Sequence, residues 1–174
     1  MEIHRLPANP TRDKVQLRQM HRCDLLKTLV WRNHPETRKW FKNSDVISEK
    51  EHLVWFNRRE KDNADLVFIV ERMSDGAPVG QVSIYGIDNI KSVAEVGRFI
   101  TAPEYIGKGY MKVACKLLIK FAFEELKLRS LFLDVYYNNE RAINLYISLG
   151  FKHTCRVSHD MDRFEFTINE FLQE

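Results

Sequence analysis

The order of periodic segments predicts an α/β fold, with a mixed, mainly antiparallel central sheet flanked by helices, in one domain over residues 1–174. Three observations carry this expectation. The first sixty residues hold helix-like apolar spacing, interrupted at Pro35 and restarted at Ser48. Residues 66–101 hold three strand-like runs separated by turn residues. Residues 110–171 alternate between helical and strand periodicity. At 174 residues and 44% hydrophobic content, the chain can bury one core but is short for two.

Residues 1–13 carry two prolines and little pattern, which predicts an irregular lead-in. Residues 15–20 alternate as a short strand. Asp24 is placed to cap a helix through Leu25, Leu26, Leu29 and Val30. His34 precedes Pro35 and is pushed off helical angles, so that helix stops near Asn33. Pro35 suits the first turn of a short helix reaching Phe41. Ser48 with Glu51 reads as a capping box for the next helix, whose apolar side is expected to hold Leu53, Phe56 and Val54.

Strands are expected over 66–72 and 79–87, joined as a hairpin by Ser74-Asp75-Gly76-Ala77-Pro78. A third antiparallel strand spans 93–101. Pro103 to Gly109 is a loop. From Tyr110 a long helix places Val113, Ala114, Leu117, Leu118, Phe121 and Ala122 on one face. A strand follows at 131–137. Asn139 caps a helix carrying Ala142, Ile143, Leu145, Tyr146 and Leu149, and Gly150 stops it. Final strands are expected over 151–157 and 163–171.

Composition excludes several function classes. Three cysteines, Cys23, Cys115 and Cys155, are widely spaced with no Cys-x-x-Cys pair, which argues against a zinc site or a disulfide framework. No apolar run has the length of a membrane span, and Met1–Pro10 lacks a signal-peptide core. The expectation is a cytoplasmic protein without membrane or nucleic-acid partners. The net charge of +3 is uneven, because residues 1–60 hold 13 Lys or Arg against 8 Asp or Glu. A basic N-terminal third suits an anionic ligand as well as an ordinary solvated surface.

Ile106-Gly107-Lys108-Gly109-Tyr110-Met111 lies between a strand and the long helix. Two glycines allow a tight bend and close ligand approach. The free amides of the helix start favour an anion, and a pyrophosphate fits best. Lys108 can add charge at the rim. The loop lacks the Gly-Lys-Ser/Thr ending of a P-loop and the third glycine of a dinucleotide fingerprint.

Residues 103–109, Pro-Glu-Tyr-Ile-Gly-Lys-Gly, resemble the pyrophosphate loop of the GNAT acetyltransferase superfamily. Residues 139–151, Asn-Glu-Arg-Ala-Ile-Asn-Leu-Tyr-Ile-Ser-Leu-Gly-Phe, resemble a second segment of that superfamily. The likeness runs from about Leu66 to the C-terminus. Ile106 and Met111 depart from the usual pattern, which has Arg or Gln at the first and Gly or Ala at the second. The resemblance implies a GNAT fold with a split between two parallel central strands, 95–101 and 131–137. It also implies acetyl-CoA as cosubstrate, with no metal. The coenzyme site would comprise Phe99, Ile100, Thr101, Ile106, Gly107, Lys108, Gly109, Tyr110, Met111, Asn139, Ala142 and Tyr146. Tyr146 would protonate the departing thiolate, which is a poor leaving group without a proton donor.

Residues 31–56 resemble the N-terminal part of the N-acetyltransferases of pseudaminic acid biosynthesis, which acetylate the 4-amino group of a UDP-linked amino sugar. That likeness implies that Arg32 and His52 contact the nucleotide diphosphate, in keeping with the bidentate fork of an arginine. Trp31, Trp40 or Trp55 could stack on uracil, although each equally suits a core. Where that family has a Thr-Lys pair, this chain has Ser83-Ile84, so Ser83 is the remaining polar candidate for substrate binding and catalysis. Glu95 is placed to receive the acceptor amine's proton, or is an exposed strand-end charge. The leading expectation is a nucleotide-sugar N-acetyltransferase acting as a monomer or homodimer. The alternatives are acetylation of a protein N-terminus or of a small amine such as a polyamine, and a non-enzymatic CoA-binding module.

Overall fold

The computed structural model describes residues 15–173, and the lead-in expected over 1–13 lies outside them. One seven-stranded sheet organises the chain. Its strands are β1 (Val15–Gln19), β2 (Asp65–Arg72), β3 (Pro78–Asp88), β4 (Val93–Thr101), β5 (Ser130–Tyr136), β6 (Lys152–Arg156) and β7 (Met161–Thr167), in the order β1-β2-β3-β4-β5-β7-β6. Every neighbouring pair is antiparallel except β4 and β5. The parallel pair is joined by α4 (Tyr110–Glu124), the crossover that parallel strands require.

The two faces are covered separately. Ala114, Leu118, Phe121 and Ala122 of α4 pack with Phe68, Val82, Ile84, Leu131 and Leu133 in the main core. The other face of the sheet's first half takes the N-terminal helices α1 (Leu25–Asn33), α2 (Pro35–Arg38) and α3 (Glu49–Arg59). Phe56 packs with Met20, Val67 and Ile69, and Trp31 packs with Ile100 and Ala102. Beyond β5 lie α5 (Glu140–Ser148) and a terminal turn of helix, α6 (Ile168–Phe171). Among the described residues no helix is long and apolar enough to cross a membrane.

The box at Ser48 forms as the sequence predicts. Its Oγ accepts from the Glu51 amide at 3.2 Å, and Glu51 Oε2 accepts from the Ser48 amide at 2.7 Å. Three expectations need correction. Asp24 does not cap α1. Its carboxylate accepts from the His21 amide at 2.9 Å and from both Arg18 Nη atoms at 2.7 Å, so it closes a short 3₁₀ turn and ties α1 to β1. The second helix ends at Arg38 rather than Phe41, because the amides of Trp40 and Phe41 bond three residues back, to Thr37 and Arg38, tightening the last turn. The last strand stops at Thr167, whose amide donates to Glu170 Oε2 at 2.6 Å and starts α6.

Helices α1 and α3 meet through a buried polar contact, His52 Nε2 lying 3.0 Å from Thr28 Oγ1. Burial, with Arg32 nearby, holds the His52 imidazole down at about 4. The unfolded chain, with an ordinary histidine near 6.5, binds this proton first as pH falls. Stability therefore declines between pH 6.5 and 4, by roughly 3 kcal/mol over the window. Urea unfolding of the His52→Gln variant is expected to lack that decline.

Gly150 ends α5 at φ +94°, and a Cβ there would stand 2.6 Å from Phe166. Gly150→Ala is expected to cost at least about 1 kcal/mol of stability, since both the left-handed backbone and the ring oppose it. Denaturant midpoints of the two proteins check this.

Candidate active site

Strands β4 and β5 part company after three residue pairs. Val93, Ala94 and Glu95 face Ser130, Leu131 and Phe132, and from Val96 onward the β4 edge has no β5 partner. A bulge accompanies the parting. Gln81 pairs with Ile100 but Ser83 with Gly97, so two residues of β4 face Val82 alone, and Arg98 adopts φ +52°. Such a bulge bends the strand that carries it. The resulting cleft, about 980 Å³, has walls from β4, β5 and the starts of α4 and α5, with Arg32, Trp40 and Phe41 also in its lining.

The start of α4 is built for an anion. Gly107 and Gly109 adopt φ +81° and +82°, a backbone that a side chain would strain. No side chain caps the helix, so its first amides keep their donors, reinforced by the helix dipole. Met111, the departure from the usual small residue, fits because Gly80 leaves room. A Cβ on Gly80 would lie 3.3 Å from the Met111 methyl and 2.5 Å from the Ile100 carbonyl.

Asn139 serves as cap of α5, its Oδ1 accepting from the Ala142 amide at 3.3 Å. Its side-chain amide nitrogen remains available to a ligand. Two turns along α5, Tyr146 is buried between Phe99 and Phe151, ring centroids 5.9 and 6.1 Å away. Burial pushes its phenol well above the ordinary value of 10, so it holds its proton throughout the neutral range.

The cleft gathers Arg32, Glu95, Phe99, Ile100, Thr101, Ile106, Gly107, Gly109, Tyr110, Met111, Asn139, Ala142 and Tyr146. Three sequence candidates stand apart from its walls. The Lys108 ammonium lies 4.9 Å over the Tyr105 ring. His52 faces Thr28 and stacks on Trp55, with centroids 5.1 Å apart. Ser83 is fully buried on β3, its hydroxyl without a hydrogen-bond partner. His52 and Ser83 are not among the residues that line the cleft, since packing sets both in the interface between the sheet and the helices over it.

Arg32 is different. Its Nη2 donates to the Asn43 carbonyl, its guanidinium lies 4.1 Å over the Phe41 ring, and its buried Nη1 has no partner. Several cleft residues escaped the sequence. Tyr85 donates to Glu95 Oε1 at 2.8 Å, and Asp134 is held by Arg163 at 2.8 and 3.0 Å. The hairpin register over 79–101 was the available signal for Tyr85, since it pairs Tyr85 with Glu95.

An acetyltransferase (GNAT) domain model matches residues 14–152. The spermidine N(1)-acetyltransferase of Escherichia coli K12 is 33% identical over 162 residues, 92% of this chain and 82% of that protein. The acetyltransferase PseH of Campylobacter jejuni 81-176 is 31% identical over 116 residues, 67% and 69% of the two chains. Among solved structures, the Vibrio cholerae spermidine N-acetyltransferase in complex with CoA and spermine superposes with a TM-score of 0.84 at 26% identity, covering 91% of this chain and 98% of that one. The same enzyme is also known in a dodecameric form, with a TM-score of 0.77. The parted strands, the uncapped helix start and these likenesses agree: the chain belongs to the GNAT family of N-acetyltransferases.

Proposed function

We propose that this chain moves the acetyl group of acetyl-CoA onto a primary amine of a small molecule, with a polyamine of the spermidine class as acceptor. The observation that carries the reaction is the juxtaposition, in one cleft, of the free α4 amides, the protonated Tyr146 and the carboxylate of Glu95. Acetyl-CoA supplies the activated acyl group. The amides of Gly109, Tyr110 and Met111 hold its diphosphate. The edge of β4 over Phe99–Thr101 pairs with its extended arm, and the Asn139 amide nitrogen supplies a further donor. Tyr146 gives its proton to the departing sulfur. Glu95 receives a proton from the acceptor ammonium, which must become neutral before it attacks. Holding both substrates in line contributes on the order of 7 kcal/mol or more to lowering the barrier.

Two things support a polyamine. Relatives covering most of the chain act on spermidine. Glu95 lines the cleft, has no ion-pair partner among the described residues and is free for an ammonium.

One observation favours a second acceptor, the nucleotide-linked amino sugar. Arg32 lines the cleft beside Phe41 with a buried Nη1 that has no partner, and a guanidinium there would repel a polycation and favour a phosphate. The likeness to PseH points the same way. His52 lends this reading no support, being turned away from the cleft. The dodecameric neighbour leaves assembly open beyond a monomer or homodimer, and light scattering on the purified chain gives the state directly.

A thiol-release assay with spermidine, spermine and a UDP-linked 4-amino sugar separates the acceptors. The proposal expects turnover with a polyamine that Arg32→Ala leaves intact or raises. Turnover with the sugar alone, lost tenfold or more on Arg32→Ala (about 1.4 kcal/mol), would replace it with the second reading. For Tyr146→Phe, kcat is expected to fall about 100-fold with acetyl-CoA binding unchanged. A variant with full kcat would remove Tyr146 from its role.

A further inference from the structure

The sheet register sets Asp65, Tyr85 and Glu95 abreast on β2, β3 and β4. From this arrangement we infer that Tyr85 is a positioning residue that fixes the Glu95 carboxylate for the acceptor amine, with Arg98 and Asp65 locking Tyr85 in turn. The inference rests on the reading of Glu95 as the group that receives the amine's proton, and holds for either acceptor.

The contact is made possible by a glycine. The Tyr85 hydroxyl crosses to Glu95 Oε1, 2.8 Å away, over Gly97, where a Cβ would stand 2.6 Å from that hydroxyl. Any larger residue at 97 would close the crossing. The Tyr85 ring is then covered by Arg98, whose guanidinium lies 4.1 Å from the centroid. Arg98 reaches back this way because the bulge gives it a left-handed backbone. Its Nη1 is clasped by Asp65 at 2.7 and 2.9 Å. Ring and guanidinium therefore hold one another in place.

The arrangement occupies one oxygen of Glu95. Its other oxygen makes no hydrogen bond among the described residues, and Glu95 lines the cleft. Burial and the neighbouring Glu95 keep Tyr85 itself protonated. The other charged or titratable groups around Glu95 are Arg98 on its own strand, Asp65 on β2, Arg59 on α3 beside that pair, Arg163 on β7 with its partner Asp134 on β5, and Tyr146 on α5. All of them remain when only the Tyr85 hydroxyl is removed.

The test compares wild type, Glu95→Gln, Tyr85→Phe and Asp65→Asn at saturating acetyl-CoA, reading kcat/KM for the amine against pH. Glu95→Gln gives the loss that follows when the carboxylate itself is removed. Tyr85→Phe is expected to lower kcat about tenfold, less than Glu95→Gln does, with the KM for acetyl-CoA within about twofold of wild type. Asp65→Asn loosens Arg98 from outside the cleft and is expected to give a smaller loss of kcat, which serves should Tyr85→Phe fold poorly. If Glu95→Gln is impaired while both other variants overlay wild type, Tyr85 has no positioning role. If Glu95→Gln retains the wild-type rate and profile, the reading of Glu95 fails, and the inference with it.

Discussion

The separation of β4 from β5 after Glu95 and Phe132 is the constraint on which the site depends. A continuous sheet would satisfy its own backbone groups and leave nothing for a ligand. Here the bulge at Arg98 and Phe99 turns β4 aside, and α4 connects the two strands. The same parting that exposes the β4 edge also brings the free end of α4 and the face of α5 to one cleft. Donor amides, a proton-holding phenol and a carboxylate are thereby assembled from segments as much as fifty residues apart.

Much of this was legible in the sequence wherever the chemistry is local. Gly107 and Gly109 announced a left-handed loop before an apolar helix, and Asn139 announced a cap, because both are decided by residues within one turn. The box at Thr167 and Glu170 was equally local, but the apolar pattern running through Phe171 masked it. What failed was the direction of side chains across the fold. His52 and Ser83 carry suitable chemistry, yet tertiary packing turns the first onto Thr28 and buries the second beneath the N-terminal helices. Asp24 illustrates the same limit, since its partner Arg18 lies on β1 and no helical spacing could reveal it.

The acceptor end shows opposing electrostatics at close quarters. A basic N-terminal third argued against a polycation, and Arg32 does reach the cleft with a donor to spare. Two nearby arginines are paired, Arg98 with Asp65 and Arg163 with Asp134, whereas Lys42, Lys112 and Arg141 line the cleft without an ion pair among the described residues. Net charge along a stretch of sequence therefore says less about the ligand than which charges remain unpaired at the wall.

Because the account rests on coenzyme held between β4, β5 and the head of α4, calorimetric titration of CoA into the folded protein tests it most directly. A saturable one-site binding heat that Gly109→Val abolishes, with the near-ultraviolet dichroism of both proteins unchanged, is the predicted result. A flat titration of folded wild-type protein would contradict the account at its root.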